Sequence, residues 1–552
     1  MKLLTTKNML AVLATCSVLV GCGSDDNTVA TPDDRSFEAG KVKNVILMIG
    51  DGMGAQQVGL LEEYARRAPN SVLSSTTTSL QKLADAGRMG LSMNAPMGAN
   101  PSLVVDSACS ATQLATGKGS ISEAIGLDDN GNKVQTILEK AKAMGKATGL
   151  ITDTRITHAT PAAFAAHQPH RSFENEIAED MLTLGVDVML GGGSRHWVPN
   201  TDFAILATQL NAPSHVIKKS KRSDERNLII EAQDAGYGLA FTKAQLNAAS
   251  GSKLLGLFDD SAMNDGIEYT NCKNGHVSDK CSDEPSLQDM TKKALDILSQ
   301  DEDGFFLMVE GGQIDWAGHV NDTGWLLHEM LKFDEAVAAV YEWVKDREDT
   351  LVVVTADHET GGFGFAYHKH EIPEGKQLTG DGMNGEEYKP NYNFGSLDTL
   401  DKIYAQSKSY YDILSAVNGD WDFSASTPAQ WKAAVNDSLH ADFHVTDDES
   451  IAIAARTLNE NVIDGHKYLS VPDLPLINDF SDFYVYPGDG DPSALISRAI
   501  APEQSVAWSN GTHTASPVPV YAFGPETVVN QFSTMQHHIN IGQKLMSALI
   551  SE

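Results

Sequence analysis

Three apolar runs in this chain stop on an acid, and each acid is followed by residues able to hold a metal ion. Val45-Ile46-Leu47-Met48-Ile49 meets Gly50-Asp51-Gly52. Phe305-Phe306-Leu307-Met308-Val309 meets Glu310, with Asp315 and His319 just beyond, and Leu351-Val352-Val353-Val354 passes through Thr355-Ala356 into Asp357-His358. Asp315 and His319 stand at i and i+4, a spacing that lets two side chains meet one ion on a helix. Taken singly, such a pair is an ordinary surface hydrogen bond, and Asp357-His358 is only a dipeptide. Their coincidence with acids that end separate strands points to a metal centre, because like charges gathered in one place are costly unless cations neutralise them.

A hydroxyl lies among small residues in Val105-Asp106-Ser107-Ala108-Cys109-Ser110-Ala111-Thr112, just before the helix-compatible Gln113 to Thr116. Ser107 there is either a helix cap or a nucleophile. No general base stands near it in sequence, so a nucleophilic role would need a divalent metal to stabilise its alkoxide. Cys109 reads as a small packing residue. Asp128-Asp129-Asn130-Gly131-Asn132 and Asp489-Gly490-Asp491 resemble calcium loops in composition but read as plain turns.

Short apolar runs bounded by Gly or Asp are expected to be strands buried on both faces, and in an open α/β sheet ligands sit outside the carboxyl ends of such strands. Further strands are expected at Thr148 to Ile151, Val186 to Leu190 and Val518 to Phe523. Helices are expected at Ala55 to Arg67, Ser79 to Ala86, Val134 to Met144, Gln288 to Leu298, Trp325 to Val344 and Gln531 to Ile550. The alternation predicts an α/β fold with a mainly parallel central sheet sandwiched by helices. From about residue 365 to 506 the strong strands disappear, and only helical pieces such as Thr427 to Asn436 and Glu449 to Asn459 stand out. That interruption predicts a large insertion, whose tyrosines and tryptophans serve packing or a dimer interface.

The chain of 552 residues is 41% hydrophobic, enough for a large core, and its 74 acidic against 41 basic residues give a formal charge of −33. Such a surface repels nucleic-acid phosphates at long range, so no nucleic-acid partner is expected beyond possible nucleotide substrates. Lys2 and Lys7 precede an apolar stretch, Met9 to Val20, too short for a permanent membrane helix but suited to a signal peptide. Leu19-Val20-Gly21-Cys22 resembles a bacterial lipobox, which would make Cys22 an acylated N-terminus and anchor the protein in the cell envelope, periplasmic or on the outer membrane. Residues 23–42 then read as a flexible tether, 43–365 and 506–552 as a catalytic core, and 366–505 as the insertion. In that oxidising setting Cys272 and Cys281 are expected to form a local disulfide.

Asp51-Gly52-Met53-Gly54, Asp106-Ser107-Ala108, Ala159-Thr160-Pro161-Ala162, Val309-Glu310-Gly311, Asp315 with His319, Asp357-His358 and Gly511-Thr512-His513-Thr514 occur in the order of the alkaline phosphatase family. The chain thus resembles that family from about Lys43 onward, apart from the insertion. The resemblance implies hydrolysis of phosphate monoesters through a phosphoserine on Ser107. It implies one Zn2+ on Asp315, His319 and His513, and a second on Asp51, Asp357 and His358 beside Ser107. It implies Mg2+ on Asp51, Thr160 and Glu310, with Arg171 clamping the phosphate. Two zinc ions and one magnesium outweigh the acids and an ionised serine by a small positive excess, which suits a phosphate dianion.

His158 stands where the enterobacterial pattern has an aspartate, Trp316 where it has a lysine, and Thr360 where many relatives have a histidine. His158 and Trp316 together resemble the Vibrio-type enzymes, whose long crown-type insertion clasps a dimer partner, so a homodimer is expected. The alternatives are a phosphodiesterase or sulfatase of the same superfamily and a non-catalytic metal-binding surface lipoprotein. Asp106-Ser107-Ala108 does not match the sulfatase motif, and Cys109 is displaced by two residues from the nucleophile.

Overall fold

The apolar runs form the middle of a ten-stranded sheet in the computed structural model, which describes residues 42–460, 462–465, 470–476 and 492–549. In chain order its strands are β1 (Asn44–Gly50), β2 (Arg88–Met93), β3 (Ala147–Arg155), β4 (Val188–Gly192), β5 (Gly238–Ala240), β6 (Leu254–Leu257), β7 (Phe305–Gly311), β8 (Thr350–Ala356), β9 (Val518–Phe523) and β10 (Met535–His537). They lie in the spatial order β10-β2-β9-β8-β1-β7-β3-β4-β6-β5, parallel except for β9, which runs antiparallel between β2 and β8.

Successive side chains of the middle strands feed two cores, as the two-residue period of a strand requires. Ile46, Met48, Leu307, Val309, Val352 and Val354 join one core. Val45, Leu47, Ile49, Phe306, Met308, Leu351 and Val353 join the other. Helices cover both faces: α1 (Ala55–Arg67), α2 (Ser79–Ala86), α3 (Ser107–Thr116), α4 (Ile137–Ala143), α5 (Ala159–Ala165), α6 (Leu287–Leu298), α7 (Gln313–His319), α8 (Thr323–Val344), α9 (Tyr410–Val417) and α10 (His538–Ala548). The register aligns the carboxyl ends: Gly50 pairs with Gly311 on β7 and with Ala356 on β8, and Thr152 of β3 pairs with Glu310.

Several boundaries differ from the sequence expectation for local reasons. The helix expected from Val134 starts at Ile137 because Thr136 caps it, accepting from Glu139 N while the Glu139 carboxylate reaches back. The helix expected from Glu449 to Asn459 ends at Ala454, and Arg456–Leu458 pairs instead with Asp473–Pro475. The terminal helix expected from Gln531 begins only at His538, after β10 has added to the sheet edge. β2 escaped prediction because its pattern is inverted: Met89, Leu91 and Met93 are exposed while Ser92 is buried. Asp128 closes a tight turn, accepting from Asn130 N and Asn132 N at 2.9 and 2.8 Å, which accounts for its acid without an ion. Asp489-Gly490-Asp491 and Cys22 lie outside the described residues.

Gly364–Phe365 pairs with Val506–Ala507, so the chain leaves and re-enters the core side by side. Aromatic rings link the intervening segment to α8, with Trp325 and Tyr411 centroids 5.1 Å apart and Tyr411 and Trp421 5.2 Å apart. The firmest tie is Asp322, buried just before α8. Its carboxylate accepts from Trp325 N at 3.0 Å, from Gln406 Nε2 at 2.8 and 2.9 Å, and from Tyr410 N at the start of α9 at 2.8 Å.

Asp322→Ala would leave the amides of Trp325 and Tyr410 buried without this acceptor and Gln406 with Lys408 O alone, an expected loss of about 3 kcal/mol in urea unfolding. Limited proteolysis of the variant should cut first between residues 366 and 505. An unchanged unfolding midpoint together with an unchanged digestion pattern would show that Asp322 is no anchor.

Candidate metal centre

The aligned strand ends converge on one buried rim. Asp51 follows β1, and the chain then turns at Gly52 with φ +73, where a Cβ would lie 2.8 Å from Asp315 Cα. Gly52 N donates to Asp357 Oδ1 at 3.0 Å, tying the end of β1 to that of β8. One turn of α7 brings His319 Nε2 to 3.2 Å from Asp315 Oδ2. His513 arrives from the far end of the chain on a short strand paired with Glu359–Thr360. Its Nε2 lies 3.1 Å from His319 Nε2 and 3.5 Å from Asp315 Oδ1.

A second group shares the rim. His358 Nε2 lies 3.1 Å from Asp357 Oδ2, 3.5 Å from Asp51 Oδ1 and 3.2 Å from Ser107 Oγ. Ser107 is the first residue of α3, whose cap is Asp106, so the question of cap or nucleophile separates onto two adjacent residues. Asp51 also belongs to a third group with Glu310 and His158. Within each group the potential ligand atoms lie within 4.8 Å of one another. Thr160, on the first turn of α5, has its hydroxyl buried. His158, expected only as a neighbour, stands as close to Asp51 and Glu310 as a ligand would.

The donors fit cations. Both oxygens of Asp51, Glu310 Oε1, Thr160 Oγ1 and His158 Nδ1 are buried without a hydrogen-bond partner. Folded proteins rarely leave so many such atoms unpaired in one place. Burial, followed by Asp357, Asp315 and Glu310, pushes Asp51 well above the usual carboxylate range. Burial also lifts Glu310 to about 8, helped by Asp153 and Asp357. Burial alone would raise Asp315 too, but His319 and His513 outweigh it and hold that carboxyl well below its ordinary value. His158 is kept neutral by burial and by the Arg171 and Arg155 charges. Two imidazoles with one carboxylate suit zinc, whereas the oxygen-rich group around Glu310 suits a harder cation.

Partners outside these groups fix the imidazoles. His319 Nδ1 meets Gly511 O and His513 Nδ1 meets Val105 O, both at 2.8 Å, which leaves each Nε2 facing the rim. Thr360 donates to Asp315 Oδ1 at 2.5 Å and lies 3.2 Å from His358 Nδ1. His538 Nε2 meets Asp357 O at 2.8 Å. Thr152 donates to Glu310 Oε2, and Thr154 does so at 3.4 Å. Sequence reading passed over Thr152, Thr154 and His538. The one available signal was the Thr-x-Thr alternation at the end of β3, which turns two hydroxyls to one face.

Arg171 is half-buried beside this rim. Its guanidinium donates to Asp106 Oδ2 at 3.3 Å and lies 3.2 Å from His158 Nε2. Trp316 packs edge-on to His158, with ring centroids 6.1 Å apart. Cys109 is buried within α3, and burial pushes its thiol up. Cys272 and Cys281 are joined in a disulfide.

The alkaline phosphatase family profile matches residues 42–468. Alkaline phosphatase 3 of Bacillus subtilis is 30% identical over 522 residues, spanning 91% of each chain. Alkaline phosphatase 4 of the same organism is 36% identical over 368 residues, which cover 65% of this chain and 70% of that one. The crystal structure of a cold-active alkaline phosphatase from a psychrophilic Shewanella superposes with a TM-score of 0.63 at 28% identity, covering 92% of this chain and all of the other.

The raised acids make a prediction for protein stripped of cations. Folded Glu310 keeps its proton up to about pH 8, while the unfolded chain releases it near 4.5. The folded state therefore binds more protons in that window, and stability falls as pH rises. The depressed histidines act in the opposite sense, but only below their ordinary value of 6.5. With chelator present, the melting temperature should thus fall between about pH 6.5 and about pH 8. Glu310→Gln should make the fall shallower, and added zinc and magnesium should remove the share that the centre contributes, leaving that of acids raised elsewhere such as Glu284. A flat profile for chelated wild type would refute the electrostatic account.

Proposed function

Because the chain belongs to the alkaline phosphatase family and hydrolyses phosphate monoesters, we propose that it does so through a phosphoserine formed on Ser107. The observation that carries this reading is the position of Ser107 Oγ, 3.2 Å from His358 Nε2, the atom that also lies 3.1 Å from Asp357 Oδ2 and 3.5 Å from Asp51 Oδ1. Asp315, His319 and His513 would hold one zinc ion; Asp51, Asp357 and His358 a second; Asp51, Glu310 and Thr160, with His158 at hand, a magnesium. When bound, these cations supply the positive charge that ionises a hydroxyl or water and steadies a leaving alkoxide.

The chain's own residues do the positioning. Ser107 gives up its hydroxyl proton to water and its Oγ attacks phosphorus; the new O–P bond forms as the ester P–O bond breaks, and the alcohol leaves as its alkoxide and takes up a proton from water. Water then attacks the phosphoserine, the Oγ–P bond breaks, a proton from the attacking water returns to Ser107 Oγ, and inorganic phosphate is released. Asp106 accepts from the amides of Ala108 and Cys109 at the start of α3, so those two are taken and a side chain would carry most of the hold on the anion. Arg171 supplies that side chain: Asp106 aims its planar fork, which can take two phosphoryl oxygens at once. Little further protein chemistry is needed, since phosphoryl transfer is mostly positioning and charge stabilisation.

We also read residues 43–365 and 506–552 as one catalytic core interrupted by 366–505, supported by the pairing of Gly364–Phe365 with Val506–Ala507. The insertion would serve a homodimer. Residues 1–22 would be a lipoprotein signal ending at Cys22, with 23–42 as tether and the cell envelope as destination. Among the described residues no helix is long and apolar enough to cross a membrane.

Ser107→Ala should keep the wild-type zinc and magnesium content yet lose monoester turnover by a factor on the order of 10³ or more. Arg171→Lys should lose less, mainly as weaker phosphate inhibition. Comparable turnover in Ser107→Ala would sink the covalent route. A preference for diesters or sulfate esters across a substrate panel would move the reading to those chemistries.

A further inference from the structure

Lys332 is a buried cation on α8 that has no part in the reaction above. Its ammonium lies 3.0 Å from Asp153 Oδ2 and 2.7 Å from Glu329 Oε2, and it donates to Asn264 O at 3.2 Å. Glu329 is itself fixed, accepting from Trp325 Nε1 at 2.8 Å and from Gly266 N at 2.5 Å. The other oxygen of Asp153 accepts from Gly312 N at 2.7 Å.

Gly312 sits in the turn that joins Glu310, at the end of β7, to the helix carrying Asp315. A Cβ at Gly312 would lie 2.5 Å from Thr154 Cγ2 and 3.1 Å from Glu310 Cδ, so the turn is wedged against both. Three consecutive residues of β3 therefore grip this corner. Thr152 and Thr154 hold the Glu310 carboxylate, and Asp153, on the opposite face of the strand, holds the backbone that leads away from it. A buried ion triad is weak evidence for stability, since packed apolar side chains of similar volume often do as well. What it supplies here is direction, because a carboxylate pinned on one oxygen presents the other at a fixed place.

We propose that Lys332 is a positioning residue for the metal centre: it pins Asp153, Asp153 fixes the Gly311–Gly312 turn, and the turn sets the spacing between Glu310 and Asp315. This rests on the reading of Glu310 as a magnesium ligand.

Two variants test it. Lys332→Met leaves two buried acids unpaired. The triple variant Asp153→Asn, Glu329→Gln, Lys332→Met removes all three charges while keeping amide oxygens for Gly312 and Trp325. Three measurements are made on the full chain: thermal unfolding, magnesium titration of zinc-loaded protein by calorimetry, and hydrogen exchange of the 310–315 segment in chelated protein. Lys332→Met should melt lower and bind magnesium about tenfold more weakly, in line with residues that support metal ligands. The triple variant should regain most of the melting temperature yet keep the weaker affinity and exchange about tenfold faster at 310–315. Wild-type affinity and exchange in the triple variant would reduce the triad to a structural role and overturn the proposal. Should the single variant fail to fold, the triple variant still decides. Wild type that takes up no magnesium would instead sink the reading of Glu310, while the exchange comparison would still decide the part played by Lys332.

Discussion

Several carboxylates buried at one end of one sheet repel each other, and much of the surrounding architecture answers that repulsion. Asp51, Glu310, Asp315 and Asp357 are each almost fully excluded from solvent. Asp315 and Asp357 are eased by neighbouring imidazoles, which hold both below the ordinary carboxylate value, Asp357 at about 2. For Asp51 and Glu310 burial and the neighbouring acids outweigh what the protein offers, the threonine hydroxyls on Glu310 included, and both are driven upward. The imbalance is local and has the sign that draws cations, independently of the charge of −33 spread over the whole chain.

Convergence depends on register before it depends on side chains. A slip of one residue between β1 and either neighbour would exchange the residues that β1 gives to its two cores and carry Asp51 away from its partners. The ties between strand ends are correspondingly short: Gly52 N on Asp357, Gly312 N on Asp153, Thr152 on Glu310. Two imidazoles are aimed by backbone carbonyls remote from them in sequence, Val105 for His513 and Gly511 for His319. The rim is thus complete only when the segment following the insertion has returned to the core.

The middle of the fold was legible because buried parallel strands leave continuous apolar runs, and α1 and α2 matched because their periodicity and ends agree. What escaped was set by tertiary context. β2 exposes its methionines and buries a serine, so its pattern argues against its own placement. The helix expected to start at Gln531 gives way first to a 3-10 turn, Asn530–Phe532, and then to a strand, Met535–His537, that pairs with the edge of β2. At the site, the acids and histidines could be named from the chain because their spacing is local or their motifs are ordered. Asp153, Lys332 and His538 could not, since a lone buried charge or imidazole carries no mark in sequence of what it faces. Thr360 could be noticed as a departure, yet its bond to Asp315 is visible only in three dimensions.

The third group shows how a single change of residue type redistributes charge. In the reading proposed here, Asp51, Glu310 and Thr160 give a hard cation its oxygens, and His158 adds a neutral ring where an aspartate would add a negative charge. A hard cation gains little from that nitrogen. The ring also borders Arg171, whose guanidinium lies 3.2 Å from its Nε2, and is itself packed by Trp316. Replacing an acid by an imidazole therefore removes a counter-ion from the arginine as well as a ligand from the cation. Arg171 pairs with Asp106, and in the proposed reading it would keep more of its charge for the phosphoryl oxygens, while the neutral Trp316 adds none. In that reading a weaker hold on the third cation and more charge on the arginine would both follow from the one imidazole, because the same ring borders both.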